Sequence, residues 1–199
     1  MVTQPETEDI QSFERRSGTY EDSFLQGLFF DRIHRIALKL VPVGLQPESI
    51  LDIGCGTGRL LRKAATRWPT ARLTGVDPAE GMVREARRLT PQAVFHVSMV
   101  ESLPLPDSST DLVFSTTSFH HWQDQLQGIK QITRVLRPEG VFVLVDIVMP
   151  FGLGRIHPHG RQTSPATVRG MFAQAGLDVQ TQRRAMSRFI LVTVGRRAK

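Results

Sequence analysis

The sequence predicts an α/β fold: a doubly wound, mostly parallel seven-stranded sheet with helices on both faces and an antiparallel C-terminal strand pair. Three observations lead there. Between residues 49 and 147, short β-branched apolar runs alternate with stretches whose apolar side chains recur at helical spacing. The first apolar run passes straight into Gly54-Cys55-Gly56-Thr57-Gly58 and then into a helix, the layout of a ligand-binding strand-to-helix turn. Beyond Asp146 the alternation stops, and one helix is followed by two consecutive strands. Strand–helix–strand units join parallel strands and lay helices on both faces, whereas consecutive strands pair antiparallel.

Each element has its own signal. Residues 24–40 place Phe24, Leu28, Phe29 and Ile33 at helical spacing, and Pro42, Gly44 and Pro47 end that helix. A strand at 49–53 is short, apolar and β-branched, and the helix after it runs to about Trp68, where Pro69 stops it. There follow a strand at 71–77, a helix at 79–89, strands at 93–99 and 111–117, a helix at 124–136 and a strand at 141–147. A loop rich in Gly, Pro and His fills 150–163. Ser164-Pro165 starts a helix that closes near Gly176, because Ser caps free N–H groups and Pro tolerates the first helical position. Strands at 177–183 and 188–195 complete the sheet edge.

Composition excludes several classes. A chain of 199 residues falls within the ~100–200 of a single domain. Its 40% hydrophobic and 22% charged residues describe an ordinary globular protein rather than a disordered or fibrous one. The longest apolar stretches, such as Val141–Val145, fall far short of the ~20 residues of a membrane helix. Met1–Asp9 is acidic and lacks the basic-then-apolar layout of a secretory leader, so the expected location is cytoplasmic. A single cysteine, Cys55, fits a reducing compartment. The net charge of +6 invites a nucleic-acid reading, but residues 1–146 hold 16 basic and 18 acidic side chains. The excess lies in residues 147–199, with nine basic side chains against Asp178 alone and without aromatic interleaving of the kind that stacks bases.

The glycine turn carries the site. Three glycines at alternate positions let the backbone bend tightly and a ligand lie against it. The helix that follows offers free N–H groups to a carboxylate. The spacing differs from the Gly-x-Gly-x-x-Gly of dinucleotide sites. Asp52, just ahead of the glycines, repels phosphate and suits an ammonium. Asp77, ending the next strand, can accept the hydroxyls of a ribose. An amino acid joined to a ribose describes S-adenosylmethionine.

The stretches Ile50–Leu60, Gly75–Val83, Val100–Asp107, Thr110–Val113 with Phe119–Asp124, and Val135–Gly140 stand in the order and spacing of one family. The chain resembles the Rossmann-like class I S-adenosylmethionine-dependent methyltransferases, in particular the small-molecule group that includes the ubiquinone and menaquinone biosynthesis C-methyltransferases. The resemblance implies a cofactor-binding domain at 49–199; residues 1–48, with Tyr20 ahead of the apolar helix, are either a helical lid segment covering the cofactor or an amphipathic helix packed on the sheet, and loop 150–163 is the second candidate cover. The resemblance also implies that Asp52, Gly54, Cys55, Gly56 and Gly58 surround the methionine part of the cofactor. Asp77 would face the ribose, Pro78 and Met82 the adenine ring, and Val100 and Glu101 the adenine edge, with Ser115 at the end of the fourth strand completing the set. Met99 stands where the family usually has an acid that contacts the adenine amino group; methionine packs against a purine but accepts no hydrogen bond of that strength.

His120 and His121 follow the fourth strand, facing the expected position of the transferred methyl, and are the candidate general bases, although a histidine there can also simply bond a loop carbonyl. His157 and His159 lack a nearby acid or cysteine, so no metal is expected. The turn Ser115–Phe119 lacks the Pro-Pro-aromatic signature of amino-adenine methylation, and Cys55 is misplaced for cytosine chemistry. The expected partner is a small organic acceptor methylated at oxygen, nitrogen or carbon. An RNA-modifying enzyme, or a cofactor-binding protein without chemistry, are the alternatives, and oligomeric state is left open.

Overall fold

A computed structural model describes residues 24–147, 164–186 and 189–198. In chain order the elements are α1 (Phe24–Lys39), β1 (Ser49–Ile53), α2 (Arg59–Arg67), β2 (Arg72–Asp77), α3 (Glu80–Leu89), β3 (Val94–Val97), β4 (Thr110–Thr116), α4 (Gln125–Val135), β5 (Leu136–Ile147), α5 (Pro165–Gln174), β6 (Leu177–Ala185) and β7 (Ile190–Arg197). Short 3-10 turns stand at Val100–Ser102 and Phe119–His121. The seven strands form one sheet in the order β3-β2-β1-β4-β5-β7-β6. The first five are parallel, and β7 pairs antiparallel with both β5 and β6. The expected architecture therefore holds, with β7 inserted between β5 and the edge strand β6.

Two boundaries moved for local reasons. The third strand spans Val94–Val97 rather than 93–99, because the chain turns into the 3-10 segment at Val100. The fifth strand starts at Leu136 rather than 141, since Leu136 already pairs with Thr110 before a register shift.

The period-two alternation of β-strands divides the side chains between two cores. Ile50, Leu112, Phe114, Val141 and Val143 join the layer with Ile33 and Ala37 of α1, Leu60 and Leu61 of α2, and Val83 and Ala86 of α3. Leu51, Ile53, Val113, Phe142 and Leu144 join the opposite layer with Ile129 and Ile132 of α4 and Val168 and Phe172 of α5. Phe142 and Phe172 stack with centroids 5.2 Å apart. At the amino ends of the strands, Asp111 accepts from Ser49 N (2.9 Å), Ser49 Oγ (2.7 Å) and Arg137 (2.7 Å), tying β1, β4 and β5 together.

Helix α1 is an integral layer of the fold, with Ile33 and Ala37 fully buried. Leu28, expected on its apolar stripe, instead faces solvent at 54% exposure, because the buried stripe turns through Ile33 and Ala37. Tyr20, the loop 150–163 and its His157 and His159 lie outside the described residues.

Close packing also fixes the site from below. A Cβ at Gly75 in β2 would stand 2.5 Å from the Phe95 ring and 2.8 Å from Cys55 Sγ. Gly75→Ala is therefore expected to cost about 1–3 kcal/mol of unfolding free energy by overpacking, measured by urea denaturation. Wild-type stability in that variant would show that the Phe95–Cys55 wall yields.

Candidate functional site

The site lies where the strand order reverses, between β1 and β4, at the carboxyl ends of the parallel strands. The turn after β1 holds Gly54, Gly56 and Gly58 at φ of 67°, 51° and 79°, a left-handed conformation that only glycine adopts freely. Gly54 and Cys55 both donate their N–H to the Val76 carbonyl, at 2.8 and 3.1 Å. A Cβ on Gly54 would lie 2.4 Å from Ser118 Cβ, whereas one on Gly56 would meet nothing within 4 Å. The turn is thus braced on one side and open on the other. Cys55 is buried in it, and burial, then the Asp77 and Asp52 charges, push its thiol well above the usual range, so it is an inert filler.

Asp77 braces this turn. Its Oδ2 accepts from Gly56 N at 2.9 Å and its Oδ1 from Ala79 N at 2.9 Å, so the residue is a turn former as well as the expected ribose acceptor. Asp52 is 2% exposed, and its Oδ1 is buried without a partner. Burial, reinforced by the nearby Asp77 charge, holds its carboxyl well above the usual carboxylate range. A group that keeps its proton on folding stabilises the protein fully below its ordinary value of 3.8, and that stability is lost as pH rises toward the elevated folded value. Unfolding free energy measured from pH 4 to 8 is expected to decline more steeply in the wild type than in Asp52→Asn. Parallel profiles would refute a protonated Asp52.

Asp52 opens into a pocket of ≈ 470 Å3, open solvent included, lined by Phe30, His34, Asp52, Gly54, Cys55, Gly56, Thr57, Arg59, Thr116 and Thr117. Six of these were not among the expected site residues; Thr57 and Arg59 simply belong to the glycine turn and the helix that follows it. Phe30 and His34 stand four residues apart on α1 and share its pocket-facing side; a histidine next to the buried Ile33 was the available signal. Thr116 and Thr117 follow from strand alternation. Leu112 and Phe114 point to the α1 layer, as Asp52 does with Ile50, so the next residue on that side is Thr116. Ser115 points the other way: it is fully buried and its hydroxyl bonds Ser118 Oγ at 2.9 Å, which removes it from the cofactor set. Thr117 is β-branched yet holds φ at 52°, a strained conformation at the pocket rim, with its N–H on the Val145 carbonyl at 2.9 Å.

At the far end, Pro78 and Met99 are half-buried and Val100 is buried. Met82 is buried at 2% exposure and is not among the residues lining the pocket. Glu101 Oε1 accepts from Asp124 N at 3.0 Å, while its Oε2 is buried without a partner.

His120 lies apart from the pocket lining. Its ring Nδ1 is 2.7 Å from Asp146 Oδ1, and its backbone N–H donates to Asp146 Oδ2 at 2.8 Å. Both residues are buried. His121 is half-buried, its ring 4.0 Å from that of His120. Asp146, an acid ending an otherwise apolar strand, is the residue that sequence reading passed over; only its position opposite the turn after β4 reveals the pair. The C-terminal basic excess is partly absorbed by the fold: Arg196 pairs with Glu139 at 3.1 Å, and Arg197 donates to Ser108 Oγ and the Leu136 carbonyl. Among the described residues no helix is long and apolar enough to cross a membrane, and no three metal-ligating side chains converge.

Comparison with known proteins agrees with this geometry. Residues 51–144 match the family model of a methyltransferase domain. A malonyl-acyl-carrier-protein O-methyltransferase from Geobacter sulfurreducens is 39% identical over 113 residues, 55% of this chain and 42% of that protein. A demethylmenaquinone methyltransferase from Chlorobaculum parvum is 33% identical over 107 residues, 54% of this chain and 44% of that protein. The chain spans about half the length of the curated relatives it matches. Among solved structures, a complex of the Haloferax volcanii Trm112 methyltransferase activator with a methyltransferase gives a TM-score of 0.79 at 23% identity, covering 94% of this chain and 98% of that one. An S-adenosylmethionine-dependent methyltransferase from Aquifex aeolicus gives 0.67 at 20% identity, covering 82% and 88%. The domain match lies over the glycine turn and both acidic strand ends, so residues 51–144 form a methyltransferase domain.

Proposed function

We propose that this protein transfers the methyl group of S-adenosylmethionine to a small organic acceptor. The observation that carries the reading is Asp52, a buried carboxyl with an unpartnered oxygen lining an open pocket beside left-handed glycines. An ammonium placed there satisfies it and draws it into the charged form. Asp77 accepts from Gly56 N and Ala79 N, which fixes its carboxylate at the end of β2, where a carboxylate can take the hydroxyls of a ribose. Pro78 and Met99 supply apolar surface for the adenine, and the unpartnered Glu101 Oε2 offers an acceptor where the family's usual acid is replaced by Met99. When bound, the cofactor supplies a methyl group on a positively charged sulfur, already activated for displacement.

The protein's own tasks are alignment and exclusion of water. Phe30 and His34 of α1 wall the pocket from the N-terminal side, and Thr116 and Thr117 wall it from the end of β4 and the turn after it. His120, oriented through Nδ1 by Asp146, is assigned to take the acceptor's proton where one must leave. The names of the relatives, which cite a malonyl group, trans-aconitate and demethylmenaquinone, support an acceptor of small size. Nucleic acid is disfavoured because Arg196 and Arg197 are committed to structural bonds.

Calorimetry with S-adenosylhomocysteine, followed by label transfer from S-adenosylmethionine to a panel of small acids, quinols and amines, tests this reading. Methylation of RNA alone, with steep loss in salt, would overturn it. Met99→Ala is expected to weaken cofactor affinity only a few-fold, about 1 kcal/mol, through lost packing. A loss of a hundredfold would give Met99 a larger role.

A further inference from the structure

His34 is 6% exposed and lines the same pocket as Asp52, yet its Nδ1 is buried with no hydrogen-bond partner. A buried polar nitrogen without a partner is costly, and native structures keep few of them. Its position is well determined: Ile33 and Ala37 anchor α1 in the core, and the Phe30 ring stacks on the imidazole at 6.3 Å between centroids. Burial first, and then the Lys63 charge, lower His34 to about 4, so the ring is neutral at physiological pH and carries one N–H.

The pocket thus holds two unpartnered buried polar groups on different elements, a carboxyl on β1 and a neutral imidazole on α1. An α-amino acid end presents the matching pair, an ammonium and a carboxylate. Two other donors of the lining have partners within the protein: Arg59 lies 3.8 Å from Asp31, and Thr117 Oγ1 donates to the Thr116 carbonyl at 2.8 Å.

We propose that His34 donates a hydrogen bond to the carboxylate of the cofactor's amino-acid end, so that α1 and β1 together read that end by both its charges. The inference rests on the assignment of S-adenosylmethionine to this pocket. It makes the N-terminal helix part of cofactor recognition, with Phe30 fixing the ring that does the reading.

The test compares three probes by calorimetry on the full chain: S-adenosylhomocysteine, its decarboxylated analogue, and 5′-methylthioadenosine, which lacks the amino-acid end. His34→Phe keeps a stacked ring and removes the N–H. It is expected to weaken S-adenosylhomocysteine by about 10- to 100-fold, the worth of a hydrogen bond to a charged group, while the other two probes bind as to the wild type. His34→Gln, which restores a donor, is expected to recover most of that loss, separating recognition from a folding defect. Equal weakening of S-adenosylhomocysteine and its decarboxylated analogue, or no weakening of either, would overturn the role of His34 and leave the cofactor assignment standing. Failure of the wild type to bind S-adenosylhomocysteine at all would remove the cofactor assignment and this role with it.

Discussion

Asp77→Ala is expected to abolish measurable S-adenosylhomocysteine binding by calorimetry, a loss beyond about a hundredfold, and to lower unfolding stability at the same time. The two effects share one cause. The Asp77 carboxylate accepts Gly56 N–H and Ala79 N–H, both at 2.9 Å, and thereby holds the glycine turn against the end of β2. Removing it leaves the buried Ala79 N–H without a partner, at about 1–3 kcal/mol, and releases the half-buried Gly56 N–H, which frees the glycine turn. It also removes the acceptors for the ribose. Asp77→Asn separates the contributions: one amide oxygen still serves one of the N–H groups, so stability falls less, while binding stays weak because the amide presents a donor to a ribose hydroxyl. Cofactor affinity unchanged in Asp77→Ala would end the assignment of this pocket to S-adenosylmethionine.

Asp146→Asn should lower kcat by about 10²-fold or more, within the range for losing a positioned general base, with cofactor affinity unaltered. The amide oxygen can still accept the His120 backbone N–H, now 2.8 Å from Asp146 Oδ2, so the turn after β4 keeps its place. What changes is the partner of the ring: Nδ1 meets an amide instead of a carboxylate, and the imidazole loses the acid that fixes its tautomer and supports its charged form. A fall in melting temperature with kcat intact would show that the His120–Asp146 pair only fastens β4 to β5.

Much of this was legible in the sequence because it depends on short-range rules. Glycines at 54, 56 and 58 demand positive φ wherever they occur in such a turn, and acids ending the first two strands stay beside that turn in any parallel sheet. The element order, the parallel strands and the antiparallel return of β7 likewise follow from periodicity and connection length. The placement of Met82 and Ser115 outside the pocket lining was not legible for a different reason. Whether a side chain at a strand or helix end faces a ligand or the interior is set by which layer covers it, and both proved buried.

The sequence by itself determined the fold, the glycine turn and the two acidic strand ends beside it, since local backbone geometry and strand periodicity act over a few residues. Only the tertiary structure decided what stands across from them. His34 comes to the Asp52 pocket from a helix that precedes β1, Thr116 replaces Ser115 by alternation across the sheet, and Asp146 meets His120 from 26 residues away. Such contacts join distant segments, and their physical cause is the burial of two opposite faces of one sheet. That burial chooses which side of every strand, and so which polar residue, is turned toward the ligand.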